Sequence, residues 1–383
     1  MAKFDFPKGF YWGAATSAHQ VEGKNNNDWT EWEKEHANRL ANEASKKKFP
    51  EHILNLNPSP LDQNNYISGE ACDHYNRFRE DFDIAKSLGH NAHRFSIEWS
   101  RIEPTEGQWN QKEIQHYQDV INALRERGIE PFVTLWHWTL PTWVAKQGGW
   151  ENKKTIDDFV RYTYKVTASL QGVKYWITLN EPEVYTGKSY FTGTWPPQKK
   201  SLIKFFKVFC NLIEAHKEAY TTISKTGAFS GISQNNFYFN LFLNKISDYQ
   251  NFIGINYYKY WNLGRLKSDM NWPIYPKGIF HVLKDLKKYK KPIYITENGL
   301  ADAKDEKRSD FIREHIKWIA RAMKEGANVR GYLHWSLLDN FEWSDGFWPK
   351  FGLVEMNYNT MERKIRQSAY EYKKIIESNS IEI

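Results

Sequence analysis

The chain has 383 residues, 40% apolar and 16% aromatic, with charged residues spread along its whole length; that is the composition of a globular protein and excludes a fibrous or disordered one. No apolar run reaches the length of a membrane span, and the start MAKFDFPKGF lacks the basic, apolar and small-residue succession of a secretory leader, so a cytoplasmic protein with no membrane partner is expected. The net charge of +7 invites an anionic partner, but the clusters at Lys46 to Lys48 and Lys287 to Lys291 are short and far apart, which reads as solvated surface and predicts no nucleic-acid binding.

Short apolar or β-branched runs alternate with amphipathic stretches, the pattern of βα units winding a parallel sheet. In chain order the predicted strands are Tyr11 to Ala15, Ala92 to Ile97, Pro131 to Leu135, Tyr175 to Leu179, Gly231 to Gln234, Phe252 to Ile255, Ile293 to Thr296 and Gly331 to Trp335. Eight such strands close a barrel, so the expected fold is a single (β/α)8 barrel formed by residues 1–383. Between the strands, Tyr75, Phe78, Phe82 and Ala85 share one helical face, as do Ile114, Tyr117, Ile121 and Leu124, and later Ile312, Ile316, Ile319 and Met323. These stripes are read as packing against the barrel and not as binding sites. The stretch from Lys24 to Glu70, rich in Asn, Lys, Glu and Pro, reads as a long loop with room for a helix; its Trp29 and Trp32 either shape a pocket rim or anchor the loop. Cys72 and Cys210 lack CxxC or metal-ligand spacing, so neither a disulfide framework nor a metal site is expected, and no motif implies a cofactor.

Polar residues fall directly after the predicted strands, on what becomes the C-terminal mouth of a barrel. His137 and Trp138 follow the third strand, Asn180 and Glu181 the fourth, Asn256, Tyr257 and Tyr258 the sixth, Glu297 and Asn298 the seventh, and Gln20 lies just past the first. Two carboxylates on different strands facing one cavity are what acetal hydrolysis needs: one protonates the leaving oxygen while the other attacks or stabilises the oxocarbenium-like carbon. Glu181 and Glu297 form the best such pair, although either one alone is more often a salt-bridge partner or a cap.

Eight ordered motifs surround these residues: Phe10-Tyr-Trp-Gly-Ala-Ala-Thr-Ser-Ala-His-Gln20, Cys72-Asp-His-Tyr75, His93-Arg-Phe-Ser-Ile-Glu-Trp-Ser-Arg-Ile102, Thr134-Leu-Trp-His-Trp138, Thr178-Leu-Asn-Glu-Pro182, Gly254-Ile-Asn-Tyr-Tyr258, Ile295-Thr-Glu-Asn-Gly299 and Trp335-Ser-Leu-Leu-Asp-Asn-Phe-Glu-Trp343. In them the chain resembles glycoside hydrolase family 1, the β-glucosidase and β-galactosidase family, nearly end to end. The resemblance implies a retaining β-glycosidase acting on small β-glycosides or short oligosaccharides, with Glu181 as acid/base and Glu297 as nucleophile. A retaining mechanism calls for carboxyl groups about 5 to 5.5 Å apart.

The same resemblance makes Arg94, Asn256 and Tyr258 supports of the nucleophile. It gives the sugar to Gln20, His137, Trp138, Asn180, Glu342 and Trp343, with Trp335 as its platform, and puts Trp272 at the aglycone border, where ordinary packing is an equal reading. Glu342 disfavours a 6-phospho-β-glycosidase, whose relatives usually carry a smaller uncharged residue there. A noncatalytic sugar-binding barrel is the alternative from another class, disfavoured because both carboxylates, Arg94 and Tyr258 are present. The preferred glycone is not chosen by these residues.

The chain departs from the family in length. Only 75 positions separate Glu181 from Asn256 and 41 separate Asn256 from Glu297, and strand five is followed by strand six within about twenty residues. A short or irregular connection over Asn235 to Tyr249 is therefore expected in place of helix five, with closure of the barrel there in question. A trimmed wall also predicts an aglycone side tolerant of leaving groups of different length and bulk.

Overall fold

Eight parallel strands close on themselves in the structure, a computed structural model that describes residues 3–235, 240–260 and 263–383. They are β1 (Tyr11–Ala15), β2 (Ala92–Ser96), β3 (Glu130–Trp136), β4 (Tyr175–Asn180), β5 (Phe229–Asn235), β6 (Ile253–Tyr257), β7 (Ile293–Asn298) and β8 (Val329–Trp335). All eight predicted strands are present, with ends shifted by at most two residues. At the C-terminal ends of β4, β6 and β7 the ladder runs beyond the apolar stretch into polar residues, Asn180, Asn256 and Asn298 among them, which hydropathy alone assigns to loops.

The barrel interior is layered. Alternation along each strand sends Tyr11, Phe132, Tyr175 and Tyr294 inward at the N-terminal end, where Phe132 and Tyr175 stack with ring centroids 4.4 Å apart and Tyr11 meets Phe132 edge-on at 5.4 Å. This aromatic plug closes one end. Above it lies a buried polar layer of Arg94, Thr134, Asn180, Ser233, Asn256 and Thr296. Strict alternation from Ile177 would turn Asn180 outward, and from Thr296 it would turn Glu297 outward. The register shifts between Ile177 and Asn180 and between Ile295 and Asn298, and these irregularities aim both residues at the cavity.

Outside the strands stand α1 (Asp28–Ala44), α2 (His74–Ser87), α3 (Gln111–Glu126), α4 (Lys154–Ser169), α5 (Leu202–Ser224), α6 (Leu241–Ile246), α7 (Lys277–Leu286), α8 (Arg308–Lys324) and α9 (Gln367–Ser378). The three predicted apolar stripes bury against the barrel, with Tyr75 and Met323 only half-buried. The stretch from Lys24 to Glu70 is more ordered than a long loop: it carries the 17-residue helix α1, started by a capping box in which Asn27 and Thr30 satisfy each other's backbone amides. Its buried face is built largely from Ala37, Ala41 and Ala44 with Trp29 and Trp32, a stripe too small-sided to stand out among so many charges.

Among the described residues between β5 and β6 the one helix is α6, six residues long, so the expected short connection is present over residues 240–249; residues 236–239 of that stretch lie outside the described residues. The barrel nevertheless closes there, with Ser233, Gln234 and Asn235 paired to Gly254, Ile255 and Asn256. Near the two ends of the chain, Lys3–Asp5 pairs antiparallel with Ser380–Glu382. Cys72 and Cys210 are free thiols, and the lysine clusters lie exposed at the ends of α1 and α7. Among the described residues no helix is long and apolar enough to cross a membrane.

Candidate active site

A cavity of about 420 Å³ opens at the C-terminal end of the strands. Of the residues singled out from sequence, Gln20, His137, Trp138, Glu181, Tyr258, Trp272, Glu297, Trp335, Glu342 and Trp343 line it, while Arg94, Asn180 and Asn256 lie in the buried layer behind.

That layer is a continuous hydrogen-bonded network. Arg94 is fully buried on β2, where an unpaired guanidinium would be costly. Its Nη1 donates to Glu297 Oε1 at 2.6 Å, its Nη2 to Asn180 Oδ1 at 2.6 Å, and its Nε to Thr134 Oγ1 at 3.1 Å. The other oxygen of Glu297 accepts from the Tyr258 hydroxyl at 2.6 Å. Asn256 accepts from Ser233 Oγ at 2.7 Å and Thr296 Oγ1 at 2.8 Å, and its amide donates to Glu181 Oε1 at 3.0 Å and Asn180 Oδ1 at 3.2 Å. Asn256, expected beside the nucleophile, thus ties both carboxyl-bearing strands together. Asn235, which the sequence reading did not single out, donates a second bond to Glu181 Oε1 at 3.1 Å. Glu181 Oε2 makes no hydrogen bond among the described residues and faces the cavity.

The two carboxyls therefore sit in unequal surroundings. Burial, then the charge of Glu297, pushes the Glu181 carboxyl up to about 8, opposed mainly by two neutral amides. Burial also raises Glu297, but the Arg94 guanidinium and the Tyr258 hydroxyl pull against it directly. The surroundings thus favour charge on Glu297 over charge on Glu181. Glu342 is raised well above the ordinary carboxylate range by burial and by Asp345, Glu297 and Glu181 around it.

The aromatic walls account for much of the tryptophan content. Trp343 stacks between His19 at 5.4 Å and His137 at 5.9 Å, His137 lies parallel to Trp335 at 6.1 Å, and Trp138 and Trp195 pack at 4.6 Å. Trp29 does not line the cavity; it backs Trp343 at 4.6 Å and meets Trp32 at 5.2 Å, so both residues of α1 anchor the wall from behind. The Trp138 indole N–H donates to Asn180 O at 2.9 Å, which leaves Trp138 an apolar face toward the cavity. Asn180 offers its amide to His137 Nε2 at 3.1 Å. Gln20 receives the Ser17 hydroxyl at 2.6 Å and donates to Asn340 Oδ1 at 3.0 Å and Phe341 O at 2.8 Å, fixing the segment after β8 that carries Glu342. Trp272 packs against Tyr258 at 5.8 Å.

The site is also marked by backbone strain. Glu181, Trp138 and Trp343 have φ of 41°, 78° and 51°, left-handed values that side-chain-bearing residues seldom adopt and that cluster at functional sites. Gly299, next but one to Glu297, is required by packing: a Cβ there would overlap the Trp335 carbonyl. The sequence reading also missed Lys188, Trp195, Lys259 and Asp345, all on the cavity wall, because they lie in loops with no periodicity or strand-end position to mark them. Among the described residues no cluster of His, Cys, Asp or Glu is arranged to hold a metal ion.

The family model for glycosyl hydrolase family 1 matches residues 2–239 and 259–381. Beta-glucosidase A of Thermotoga maritima is 33% identical over 461 aligned positions, taking in 98% of this chain and 99% of that relative. A 6-phospho-beta-galactosidase of Staphylococcus aureus is 30% identical over 488 positions, taking in 98% and 99%. Among solved structures, a beta-glycosidase from Pyrococcus horikoshii superposes with a TM-score of 0.87 at 36% identity, covering 100% of this chain and 97% of that one. The Thermotoga maritima beta-glucosidase in complex with deoxynojirimycin does so with a TM-score of 0.84 at 31% identity, covering 99% and 100%. Both sequence alignments are longer than the 383-residue chain, so these relatives carry segments that it lacks, and the break in the family match falls on α6 and β6.

Proposed function

The chain belongs to glycosyl hydrolase family 1, and from that premise we propose that it is a retaining β-glycosidase in which Glu297 is the nucleophile and Glu181 the acid/base, the whole chain serving as one catalytic unit. The observation that carries this reading is the asymmetry of the pair: Glu297 is held by a cation and a phenol, Glu181 by neutral amides with a pKa of about 8. The ionised Glu297 attacks the anomeric carbon, the bond to the leaving oxygen breaks, and Glu181 gives that oxygen its proton from the unencumbered Oε2. Esterification removes the negative charge of Glu297, which lowers the pKa of Glu181 and turns it into a base. Glu181 then takes a proton from water as the water oxygen displaces Glu297.

In this reading Trp335 is the platform under the sugar, and Gln20, His137, Glu342 and Trp343 bind its hydroxyls. Asn180 acts from behind, presenting His137 and Arg94. The sugar is unphosphorylated, because a phosphate dianion beside Glu342 would add charge to a buried end of the cavity where Glu297 is already ionised and where burial disfavours charge on Glu342 and Asp345 as well. Relatives that act on β-glucosides and on 6-phospho-β-galactosides by name bracket the choice.

The test is product stereochemistry and trapping. Proton NMR of the first-formed sugar from an aryl β-D-glucoside is expected to show the β-anomer, and a 2-deoxy-2-fluoro glucoside is expected to label Glu297 in a peptide digest. An α-anomer, or a label on another residue, overturns the assignment.

A further inference from the structure

The wall on the acid/base side of the cavity carries two lysines. Lys188 lies in the turn after β4 and Lys259 directly after β6, so they flank β5, whose Asn235 holds Glu181. In an eight-stranded barrel this arc lies opposite β8 and β1, whose ends supply Trp335, Glu342 and Gln20. Since Glu181 protonates the leaving oxygen, the arc from β4 to β6 faces the leaving group and not the sugar.

Each ammonium lies over a tryptophan that also lines the cavity: Lys188 Nζ is 5.9 Å from the centre of Trp195, and Lys259 Nζ is 5.5 Å from that of Trp272. Among the described residues the Lys188 ammonium makes no hydrogen bond or ion pair. Its charge acts on Asp345, in the turn closing on Glu342. Lys259 is half-buried, and its positive charge is disfavoured by burial and by Lys188 across the mouth. The two cations thus repel each other on a wall that also carries the apolar side chains of Val184, Phe191, Met270 and Trp272, with Thr192, Ser344 and Asp345 beside them. A group that relieves that repulsion is an anion placed between them.

We propose that the aglycone side of this cavity selects leaving groups with an apolar or aromatic body and an anionic substituent such as a carboxylate, bound between Lys188 and Lys259. The inference rests on the β-glycosidase reading above. It leaves the expected tolerance of size untouched, since the restriction it adds is one of charge.

The experiment compares 4-carboxyphenyl β-D-glucoside with its methyl ester at low and high salt, in the wild type and in Lys188→Met, Lys259→Met and Lys188→Glu variants checked for fold by circular dichroism. The ester is intrinsically the better leaving group, so a preference for the acid has binding as its source. The wild type is expected to favour the acid by about tenfold in kcat/KM at low salt, chiefly through KM, and the preference should shrink on adding salt. Each Lys→Met change should lower the acid-to-ester ratio, and Lys188→Glu should invert it. A wild-type ratio at or below one, or a ratio indifferent to both lysines, overturns the proposal. If the lysines only screen the cavity carboxylates, their removal shifts the pH profile of ester cleavage and leaves the ratio alone, which also overturns it. Cleavage of neither glucoside by the wild type would instead bring down the β-glycosidase reading itself.

Discussion

Replacing Arg94 by methionine separates the electrostatic role of the guanidinium from its packing. Methionine fills much of the same volume but donates nothing, so Glu297 loses its 2.6 Å ion pair while Asn180 Oδ1 keeps its bond from Asn256. Removing one side of a buried pair costs about 3 to 5 kcal/mol when the remaining charge cannot escape. Glu297 can escape by taking a proton, because its carboxyl is already raised by burial and loses the main influence that opposed the rise. The cost is then set by protonation, about 1.4 kcal/mol for each pH unit above the ordinary value of 4.5. That sets a ceiling of about 3.4 kcal/mol at pH 7 and about 1.4 kcal/mol at pH 5.5, reduced by the cost the raised carboxyl already carries in the wild type.

The sign follows from linkage. A carboxyl whose folded pKa is raised leaves the variant at full stability below pH 4.5 and loses it as pH climbs toward the folded value. Urea unfolding at the two pH values measures the difference from wild type, and glucoside turnover should fall roughly 10²- to 10³-fold. The double change Arg94→Met with Glu297→Gln removes the charge altogether, so it should recover most of the stability at pH 7 and flatten the pH dependence while remaining inactive. A double variant as unstable as the single one, or a single-variant deficit equal at both pH values, refutes the argument.

The alkaline limb of kcat/KM should fall near pH 8, because Glu181 must hold its proton to act as an acid and loses it as pH rises past that value; a profile for an aryl glucoside that stays flat to pH 9.5 contradicts the assignment. With Glu181→Ala that limb should vanish for a dinitrophenyl glucoside, whose leaving group needs no proton, and azide should restore turnover as the β-glycosyl azide, seen by NMR. Glucose 6-phosphate glycosides should be cleaved at least about 10²-fold more slowly than the unphosphorylated ones, a ratio read directly from nitrophenol release. Asn256→Ala deletes two donated and two accepted bonds in a buried layer and should cost roughly 2 to 3 kcal/mol by urea unfolding, together with an upward shift of the alkaline limb, because the bond it donates to Glu181 holds that carboxyl down.

The strands and the carboxyl pair were legible because each leaves a pattern with a period or a position. β-branched runs bounded by polar residues gave the barrel, and the strand-end placement of Glu181 and Glu297 gave the site. Arg94 was legible too, since a cation in the middle of an apolar strand must find a buried anion. The inward aim of Glu297 and Asn180 was not. It depends on register shifts that break the alternation of β7 and β4, and these arise from the pairing of strands distant in sequence. The left-handed backbone at Trp138, Glu181 and Trp343 is likewise imposed by the packed aromatic wall, for none of the three is a residue type that announces such a conformation. Helix α1 shows in the sequence only as room for a helix within a long loop, because its buried stripe is largely alanine, and alanine adds little contrast to a charged sequence.

The trimmed wall shows what a barrel needs in order to keep such a site. Closure between β5 and β6 rests on backbone pairing at Ser233, Gln234 and Asn235, and two of these, Ser233 through its carbonyl and Asn235 through its side chain, bond Glu181, so the ladder cannot loosen without disturbing Glu181. The outer helix contributes mainly cover for the apolar backs of the strands, and the six residues of α6 supply it with Phe242, Leu243 and Ile246, all buried. What a longer helix would fix by packing is fixed here by Glu183, two residues beyond Glu181. Its carboxyl accepts the Phe242 amide at 3.1 Å and the Gln234 side-chain amide, joining the first turn of α6 and the end of β5 to the segment that follows β4. Burial pushes Glu183 up to about 8, so it is neutral at pH 7 and adds no charge beside the catalytic pair. A shortened connection is thus compatible with the site because the strand ends carry the catalytic geometry and one protonated carboxyl carries the helix.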